Sequence, residues 1–222
     1  MADPQPEVTR ATRNAAIAKV RRAEYFGSAH SADQLPPPGA PEIAFAGRSN
    51  AGKSSAINTI TGRTRLAFTS KTPGRTQLIN LFACGADLVL VDLPGYGFAG
   101  VPRAVREHWE ELVGGYLHTR ESLAGVVIMM DSRHPLTPLD LELLDWLAPA
   151  ATPVHVLLTK SDKLSRNDSS VLLRKVRAEL QLRNPGTTVQ LFSSLKRIGV
   201  EEAALAIEAF ATRKRQAIKN PG

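Results

Sequence analysis

Short apolar runs alternate with stretches of helical periodicity along most of this 222-residue chain. The pattern predicts strands at 42–46, 77–84, 87–92, 125–131, 153–159 and 188–192. It predicts helices at 53–61, 101–118, 138–147, 169–181 and 200–217. The strands are nearly continuous in Val, Ile and Leu and alternate with helices, which favours a parallel sheet covered on both faces. We therefore expect an α/β fold with three layers, αβα.

One connection between predicted strands is too short to hold a crossover helix. Gly85 lies between the second and third strands, and a link of that length favours an antiparallel hairpin. The sequence therefore predicts a six-stranded, mostly parallel sheet with one antiparallel edge strand.

The first forty residues differ in pattern from the rest. Residues 8–26 alternate small apolar and basic side chains and predict an amphipathic helix, and the segment 35–41 (LPPPGAP) then prevents regular structure. We expect a leader with a Pro-rich hinge over 1–40 and one α/β domain over 41–222.

Composition narrows the class of protein. With 43% hydrophobic and 22% charged residues the chain is globular, and its net charge of +7 points to a polyanionic partner. A single cysteine, Cys84, excludes an intramolecular disulfide and fits a reducing compartment. The longest apolar run, 123–130, is too short for a membrane span, and the start of the chain does not resemble a signal peptide. We expect a cytoplasmic protein without a membrane span.

The strongest chemical signal is a glycine-rich segment between the first predicted strand and the first helix after it. It fits the pattern G-x-x-x-x-G-K-[ST], in which backbone amides and the start of a helix surround phosphate oxygens. In this pattern Lys53 neutralises the outer phosphates and the Ser54 hydroxyl holds Mg²⁺. The predicted phosphate-binding residues are Gly47, Arg48, Ser49, Asn50, Ala51, Gly52, Lys53 and Ser54.

Three further polar segments each follow an apolar strand. Asp92, Leu93, Pro94 and Gly95 stand where a carboxylate reaches the metal shell and a glycine amide senses a γ-phosphate. Taken alone, that segment is more often an ordinary turn.

The second of these segments is Thr159, Lys160, Ser161 and Asp162. A carboxylate at Asp162 would accept two hydrogen bonds from guanine, while the Lys160 stem covers the base; taken alone, the segment also fits a helix cap. The third is Phe192, Ser193 and Ser194, whose backbone amides would meet the guanine O6. All of these segments fall at the carboxyl edge, where doubly wound sheets bind ligands.

The segment 62–77 is basic, contains no acid and has no apolar period, which predicts a mobile loop. In a nucleotide switch such a loop becomes ordered when a threonine hydroxyl reaches Mg²⁺. Thr76 is our candidate, and Thr72, Thr69 and Thr64 compete with it because spacing alone does not separate them.

Together the segments GRSNAGKSS, SKTPGRTQ, DLPGYG, TKSD and FSS resemble the nucleotide-binding motifs of the EngB family of bacterial GTPases. The resemblance runs from about residue 35 to the C-terminus and implies a single Ras-like P-loop G domain. It implies that Ser54 and Thr76 bind Mg²⁺ directly, and that Asp92 acts on the ion through these ligands or through water rather than by direct contact. It also implies a first switch that comprises Gly74, Arg75, Thr76, Gln77 and Leu78, and a second switch that comprises Asp92 to Gly95.

The same resemblance implies a partner and a role. Members of the family take part in late assembly of the large ribosomal subunit and are needed for normal division septum formation. We expect a monomer that binds GTP and GDP and contacts ribosomal RNA. The basic segments 63–75 and 213–219 are candidate contacts, although a basic helix end is usually only solvated. An alternative is a nucleotide-dependent binding module of the division machinery whose hydrolysis is incidental.

Two positions depart from the general GTPase pattern. Thr159 replaces an Asn, which we expect to weaken a tether to the phosphate loop, and Tyr96 stands where many GTPases carry a water-orienting Gln. We therefore expect slow hydrolysis without a partner. Asn50 is a candidate K⁺ ligand beside the phosphates, and the alternative is an Asn that only stabilises the loop.

Overall fold

The structure is a computed structural model that describes residues 9–68, 78–97 and 107–220. A π-helical turn, Glu110–Gly114, precedes the third α-helix. The strands of the described part are β1 (Glu24–Ala29), β2 (Glu42–Gly47), β3 (Ile79–Ala83), β4 (Val89–Asp92), β5 (Leu123–Asp131), β6 (Val154–Thr159) and β7 (Thr188–Leu191). The helices are α1 (Arg10–Val20), α2 (Lys53–Thr61), α3 (Gly115–Thr119), α4 (Pro138–Leu147), α5 (Arg166–Arg183) and α6 (Val200–Lys219).

The strands form one sheet in the order β1-β3-β4-β2-β5-β6-β7. The pairs β2–β4, β2–β5, β5–β6 and β6–β7 are parallel, whereas β3–β4 and β1–β3 are antiparallel. The α/β class and the mostly parallel sheet are therefore confirmed, as is the hairpin at Gly85, which has a φ of 77°. Because β2, β4, β5, β6 and β7 run in the same direction, their carboxyl ends meet at one edge.

The sheet has seven strands in the described residues rather than the six that we predict from the sequence. The additional strand is β1, which pairs outside β3, so β3 is an interior strand and not the edge. The predicted helix over 8–26 is correspondingly shorter, because α1 ends at Val20 and the chain then turns into β1. The pattern of β1 is weak because its first three residues are exposed and a bulge interrupts its pairing between Tyr25 and Gly27.

Two elements of the predicted leader, α1 and β1, pack on the sheet domain. Ala16 and Val20 of α1 belong to the same buried cluster as Ile207 and Ala211 of α6. The boundary at residue 40 stays a prediction.

The core lies in two layers, one on each face of the sheet. Alternate residues of β2 divide between them, with Ile43 and Phe45 in one layer and Ala44 and Ala46 in the other. All nine residues of β5 are buried. The loops after β2, β5 and β6 at the carboxyl edge therefore start from strands that are buried on both faces.

Candidate functional site

The segment from Gly47 to Ser54 connects β2 to α2, and its glycines are needed for two different reasons. A Cβ at Gly47 would lie 3.0 Å from the Cβ of Met129 and 3.1 Å from its carbonyl oxygen, so β2 approaches β5 too closely for a side chain. Gly52 has a φ of 91° and Asn50 a φ of 65°, both in the left-handed region. Asn and Gly adopt this region most readily, and here they turn the chain back toward the start of α2.

The turn leaves a row of backbone amides at the start of α2. The Ser49 amide donates to the Tyr96 carbonyl at 2.7 Å and the Ala51 amide to the Arg48 carbonyl at 3.0 Å, and both bonds hold the loop in shape. In the described part of the chain, no backbone acceptor takes the amides of Gly52, Lys53 or Ser54. Free amides at a helix start, with the positive end of the helix dipole, form a site for an anion such as phosphate.

Lys53 and Asp92 form an ion pair at this place, with side chains only 12% and 5% exposed. Asp92 ends β4, which lies beside β2 in the sheet, so strand order alone brings the carboxylate to the loop. The Ser54 hydroxyl donates to the Phe68 carbonyl at 3.2 Å. A cation, a hydroxyl and a carboxylate therefore surround the amide row.

The predicted first switch lies mostly beyond what the structure describes. Gly74, Arg75, Thr76 and Gln77 fall outside the described residues, as do the competing Thr69 and Thr72. Leu78 is described and directly precedes β3, while Thr64 is an exposed residue of the loop after α2.

The segment from Asp92 to Gly95 continues the pairing of β4 with β2 up to the phosphate loop. The Leu93 amide donates to the Phe45 carbonyl at 3.1 Å, and the Tyr96 amide donates to the Gly47 carbonyl at 3.4 Å. A Cβ at Gly95 would lie 3.5 Å from that carbonyl oxygen and 3.6 Å from the Ser49 nitrogen. The predicted second switch therefore lies directly against the first residues of the predicted phosphate-binding segment, Gly47 to Ser49.

The Tyr96 side chain is buried, and its hydroxyl is hydrogen-bonded to helix α4. Its hydroxyl donates to Asp140 Oδ1 at 3.0 Å, and its ring packs edge-on against Trp109, with ring centres 5.7 Å apart. Burial, with the Asp140 carboxylate, raises the pKa of Tyr96 well above its ordinary value. The phenol is thus neutral and anchored to α4. The sequence pattern did not predict this role of Asp140, because its partner Tyr96 lies 44 residues away along the chain.

We expect Tyr96→Phe to leave the rate of GTP hydrolysis within about twofold of wild type, since the hydroxyl is occupied by Asp140. Loss of this buried hydrogen bond should lower the free energy of unfolding by about 1–2 kcal/mol. Single-turnover hydrolysis and urea unfolding measure the two effects. A tenfold slower hydrolysis at unchanged GTP affinity would contradict this placement.

Thr159 links the predicted base-binding segment, residues 159–162, to the predicted phosphate-binding segment. It is the last residue of β6, and its hydroxyl donates to the Ala51 carbonyl at 2.6 Å, with the Met130 carbonyl as a second acceptor at 3.2 Å. A tether to the loop at Ala51 is therefore present with Thr at this position, and the expectation that it is weaker than one from an Asn stays a prediction. The shorter side chain reaches the loop directly because Gly52 approaches it closely: a Cβ there would lie 3.8 Å from Thr159 Cβ.

Thr159→Val keeps the buried shape and removes the hydroxyl, which leaves the Ala51 carbonyl without this donor. An unsatisfied buried acceptor costs about 1–3 kcal/mol, so we expect GDP affinity and thermal stability both to fall. Thr159→Ser, which retains the hydroxyl, is the matched control and should stay closer to wild type. Equal GDP dissociation constants for the Val variant and wild type would show that the tether does not support binding.

Lys160 extends across the phosphate loop rather than into solvent. Its backbone has a φ of 57°, and its Nζ donates to the Asn50 carbonyl and to Asp131 Oδ2, each at 2.8 Å. Hydrogen bonds from Arg133, which has the larger effect, and from Lys160 hold the pKa of Asp131 well below its ordinary value. Asp131 is a site residue that our motif reading missed, although its place at the end of the apolar strand β5 was a usable signal.

Asp162 lies in a 3₁₀ turn, Ser161–Lys163, directly after β6. Its Oδ1 accepts a 2.5 Å hydrogen bond from the Ser193 hydroxyl, and its Oδ2 lies 4.0 Å from Lys163 Nζ. Each carboxylate oxygen has two acceptor positions and the Ser193 hydroxyl occupies one of the four, so the group retains capacity for at least two further donors.

The end of β7 differs from what we predict from the sequence. The Phe192 amide donates to the Leu158 carbonyl at 2.9 Å and the Ser193 amide to the Ile198 carbonyl at 3.1 Å. Of the three predicted base contacts, only the amide of Ser194 is without such a bond in the described part of the chain. Ser193 instead contributes its hydroxyl, which orients Asp162, and no sequence pattern marks that role.

Known proteins resemble the chain in sequence. Residues 42–160 match the family described as "50S ribosome-binding GTPase". A protein of Thiobacillus denitrificans named "Probable GTP-binding protein EngB" is 57% identical over 203 residues, which are 91% of this chain and 97% of the relative. One of the same name from Azoarcus sp. is 60% identical over 183 residues, covering 82% and 88%.

Solved structures resemble the chain in fold. A crystal structure of a probable GTP-binding protein engB aligns with a TM-score of 0.63 and 23% identity over 78% of this chain and 99% of that one. Era in complex with MgGDPNP and nucleotides 1506-1542 of 16S ribosomal RNA aligns with a TM-score of 0.59 and 19% identity, over 79% and 57%. At these identities the likeness concerns the fold.

Proposed function

This chain belongs to the EngB family of GTP-binding proteins and has a Ras-like GTPase domain; on that premise we propose that it is a slow, Mg²⁺-dependent switch in late assembly of the large ribosomal subunit. One observation carries the proposal. The amide row with Lys53 and the carboxylate of Asp162 lie on one sheet edge, joined through Thr159 and Lys160. A phosphate site and a guanine-selective carboxylate are thereby coupled in one binding surface.

In this proposal each group has one task. The amides of residues 52–54 and the Lys53 ammonium bind the β- and γ-phosphates, which draw Lys53 away from Asp92. The Asp162 carboxylate accepts from guanine N1–H and the exocyclic amine, and the Ser194 amide meets O6. Adenine presents an acceptor where guanine presents a donor, so the carboxylate selects GTP and GDP.

The residues present fit a Mg²⁺ ion. The Ser54 hydroxyl and the Asp92 carboxylate are hard oxygen donors, and both residues are buried. Among residues 9–68, 78–97 and 107–220 no cluster of three His, Cys, Asp or Glu side chains forms an all-protein site. That suits Mg²⁺, which takes a few protein ligands and completes its shell with phosphate oxygens and water. Ser54 and Thr76 would hold the ion, with Asp92 outside them, and the bound ion would neutralise phosphate charge.

Slow hydrolysis follows from the position of Tyr96. Phosphoryl transfer needs a group that orients the attacking water and a charge that stabilises the transition state. The Tyr96 hydroxyl is bonded to Asp140, so this residue supplies neither. A ribosomal partner or a monovalent cation would complete the site.

Asn50 is the candidate ligand for such a cation, since its left-handed backbone turns the loop beside Lys160, which donates to its carbonyl. We expect hydrolysis to be faster in K⁺ than in Na⁺ at equal ionic strength, and Asn50→Ala to reduce that difference. A turnover rate that is the same in both salts would eliminate the K⁺ role.

The proposal places the protein in the cytoplasm as a monomer. In the part of the chain that the structure describes, none of the helices has the length and apolar character of a membrane span. The family match described as ribosome-binding supports the large subunit as the partner.

Sedimentation with ribosomal particles tests the role. We expect the protein to co-sediment with large-subunit particles when loaded with a non-hydrolysable GTP analogue and to be released with GDP. Association that is independent of the nucleotide, or co-migration only with septal proteins, would overturn the assembly role and favour a binding module of the division machinery.

A further inference from the structure

A basic and aromatic surface lies where the start of β1 meets the loop after α2, at the end of the sheet opposite the carboxyl edge that holds the candidate nucleotide site. A shallow concavity of about 340 Å³ is lined there by residues 23–25 and 63–66. Its chemistry comes from Tyr25, Arg63 and Arg65, and Arg21 extends it. A Cβ at Gly62, next to Arg63, would lie 3.5 Å from Arg21 Nε, which places that guanidinium at the rim.

Tyr25 is an accessible aromatic ring with a bonded hydroxyl and one packed edge. The residue is 63% exposed, yet its hydroxyl shares a 2.9 Å hydrogen bond with the Ser28 hydroxyl. The ring also packs edge-on against Phe82, with centres 6.4 Å apart. Ser28 is held in turn by Asn80 at 2.7 Å. A ring fixed in this way loses little entropy when a flat group stacks on its open face.

The arginines of this surface have no ion-pair partner in the described part of the chain. Arg21, Arg63 and Arg65 are exposed, whereas the neighbouring Lys19 is neutralised by Asp87 and Glu208, each 2.8–2.9 Å away. The acid in the lining is Glu24, also exposed, so cations outnumber acids at this surface. Unpaired guanidinium groups around an open aromatic ring fit a ligand with phosphates and bases.

We propose that the surface formed by Arg21, Tyr25, Arg63 and Arg65 binds single-stranded RNA, with one base stacked on Tyr25 and the flanking phosphates on the arginines. This inference rests on the proposed ribosomal role and supplies a contact for it. Single-stranded RNA fits better than a duplex because a shallow concavity with one exposed ring offers a stacking platform, which paired bases cannot use.

Binding of a fluorescein-labelled oligouridine of about 12 nucleotides to the full chain tests the proposal, with a GTP analogue bound. Tyr25→Ala should weaken binding about fivefold or more without changing its salt dependence, whereas Tyr25→Phe should bind like wild type. Arg63→Gln with Arg65→Gln should weaken binding and reduce the slope of log K against log salt by about 1.4, as expected for two phosphate contacts.

Arg174→Gln with Arg177→Gln removes the same charge from the exposed side of α5 and is the matched control. It should leave oligouridine affinity within about twofold of wild type at physiological salt, where charges are screened beyond about 8 Å. Circular dichroism and GTP affinity show that each variant is folded. Equal losses in both arginine pairs, or wild-type binding by Tyr25→Ala, would overturn the proposal.

Sedimentation of the same variants separates this inference from the proposed function. If wild type fails to co-sediment with large subunits, the ribosomal role is wrong. If wild type and the surface variants co-sediment equally, the role stands and the surface is wrong. Variants that lose the ribosome but keep oligouridine affinity would show that the surface contacts a ribosomal protein, which also overturns an RNA site.

Discussion

Asp162→Asn is expected to lower GTP affinity by about 2–5 kcal/mol, or about 30- to 5,000-fold, and to create a preference for xanthine nucleotides. In the proposed site the carboxylate would accept from two guanine donors, whereas an amide would present a donor in place of one acceptor. Xanthine has a carbonyl where guanine has the exocyclic amine, so it restores the match with an Asn side chain. Isothermal titration with GDP and with xanthosine diphosphate measures both effects.

The structure provides a graded control for that variant. Ser193→Ala removes the 2.5 Å hydrogen bond to Asp162 Oδ1 and leaves the carboxylate in place. It should weaken GDP binding far less than Asp162→Asn and should not change base preference. Unaltered GTP affinity in Asp162→Asn would refute the assignment of this residue to the base.

Lys53→Ala is expected to abolish the difference between GTP-bound and GDP-bound behaviour and to slow hydrolysis by about 10²–10³-fold, which is typical for loss of one transition-state donor. Single-turnover hydrolysis at saturating GTP measures the loss.

The same change has a second effect on the protein without nucleotide. Asp92 is 4% exposed and would lose its cationic partner, and breaking a buried pair in this way costs about 3–5 kcal/mol. Bound Mg²⁺ and nucleotide would compensate part of that cost, so without nucleotide Lys53→Ala should unfold at a lower temperature than wild type, and it should regain part of the difference when Mg²⁺ and nucleotide are bound.

Lys53→Arg is the matched control for charge, because it keeps a cation opposite Asp92 while changing its shape. It should recover most of the stability and little of the hydrolysis, since a planar guanidinium does not replace a compact ammonium among the phosphates. A Lys53→Ala protein that hydrolyses GTP at the normal rate would overturn the phosphate-loop assignment.

The sequence by itself determined the order of the strands and α-helices from β2 onward and the places where polar segments interrupt it. The limits of α2 and α4 agree with the periodicity, because a cap or a Pro near the start of each helix is local information. Parallel strands end at one edge whatever their order. The convergence of Lys53, Asp92 and Asp162 was therefore predictable from strand ends alone.

Only the tertiary structure decided which groups at that edge bond to one another. The pairing of β1 with β3, the bond from Thr159 to Ala51 and the bond from Tyr96 to Asp140 join residues 44 to 108 positions apart or strands of unrelated pattern. Hydrophobic periodicity encodes which face of an element is buried, but it carries no information about a distant hydrogen-bond partner. Such partners are selected by packing. Only the tertiary structure therefore shows the bond from Thr159 to the phosphate loop, the occupied amides of Phe192 and Ser193, and the bond that holds the Tyr96 phenol.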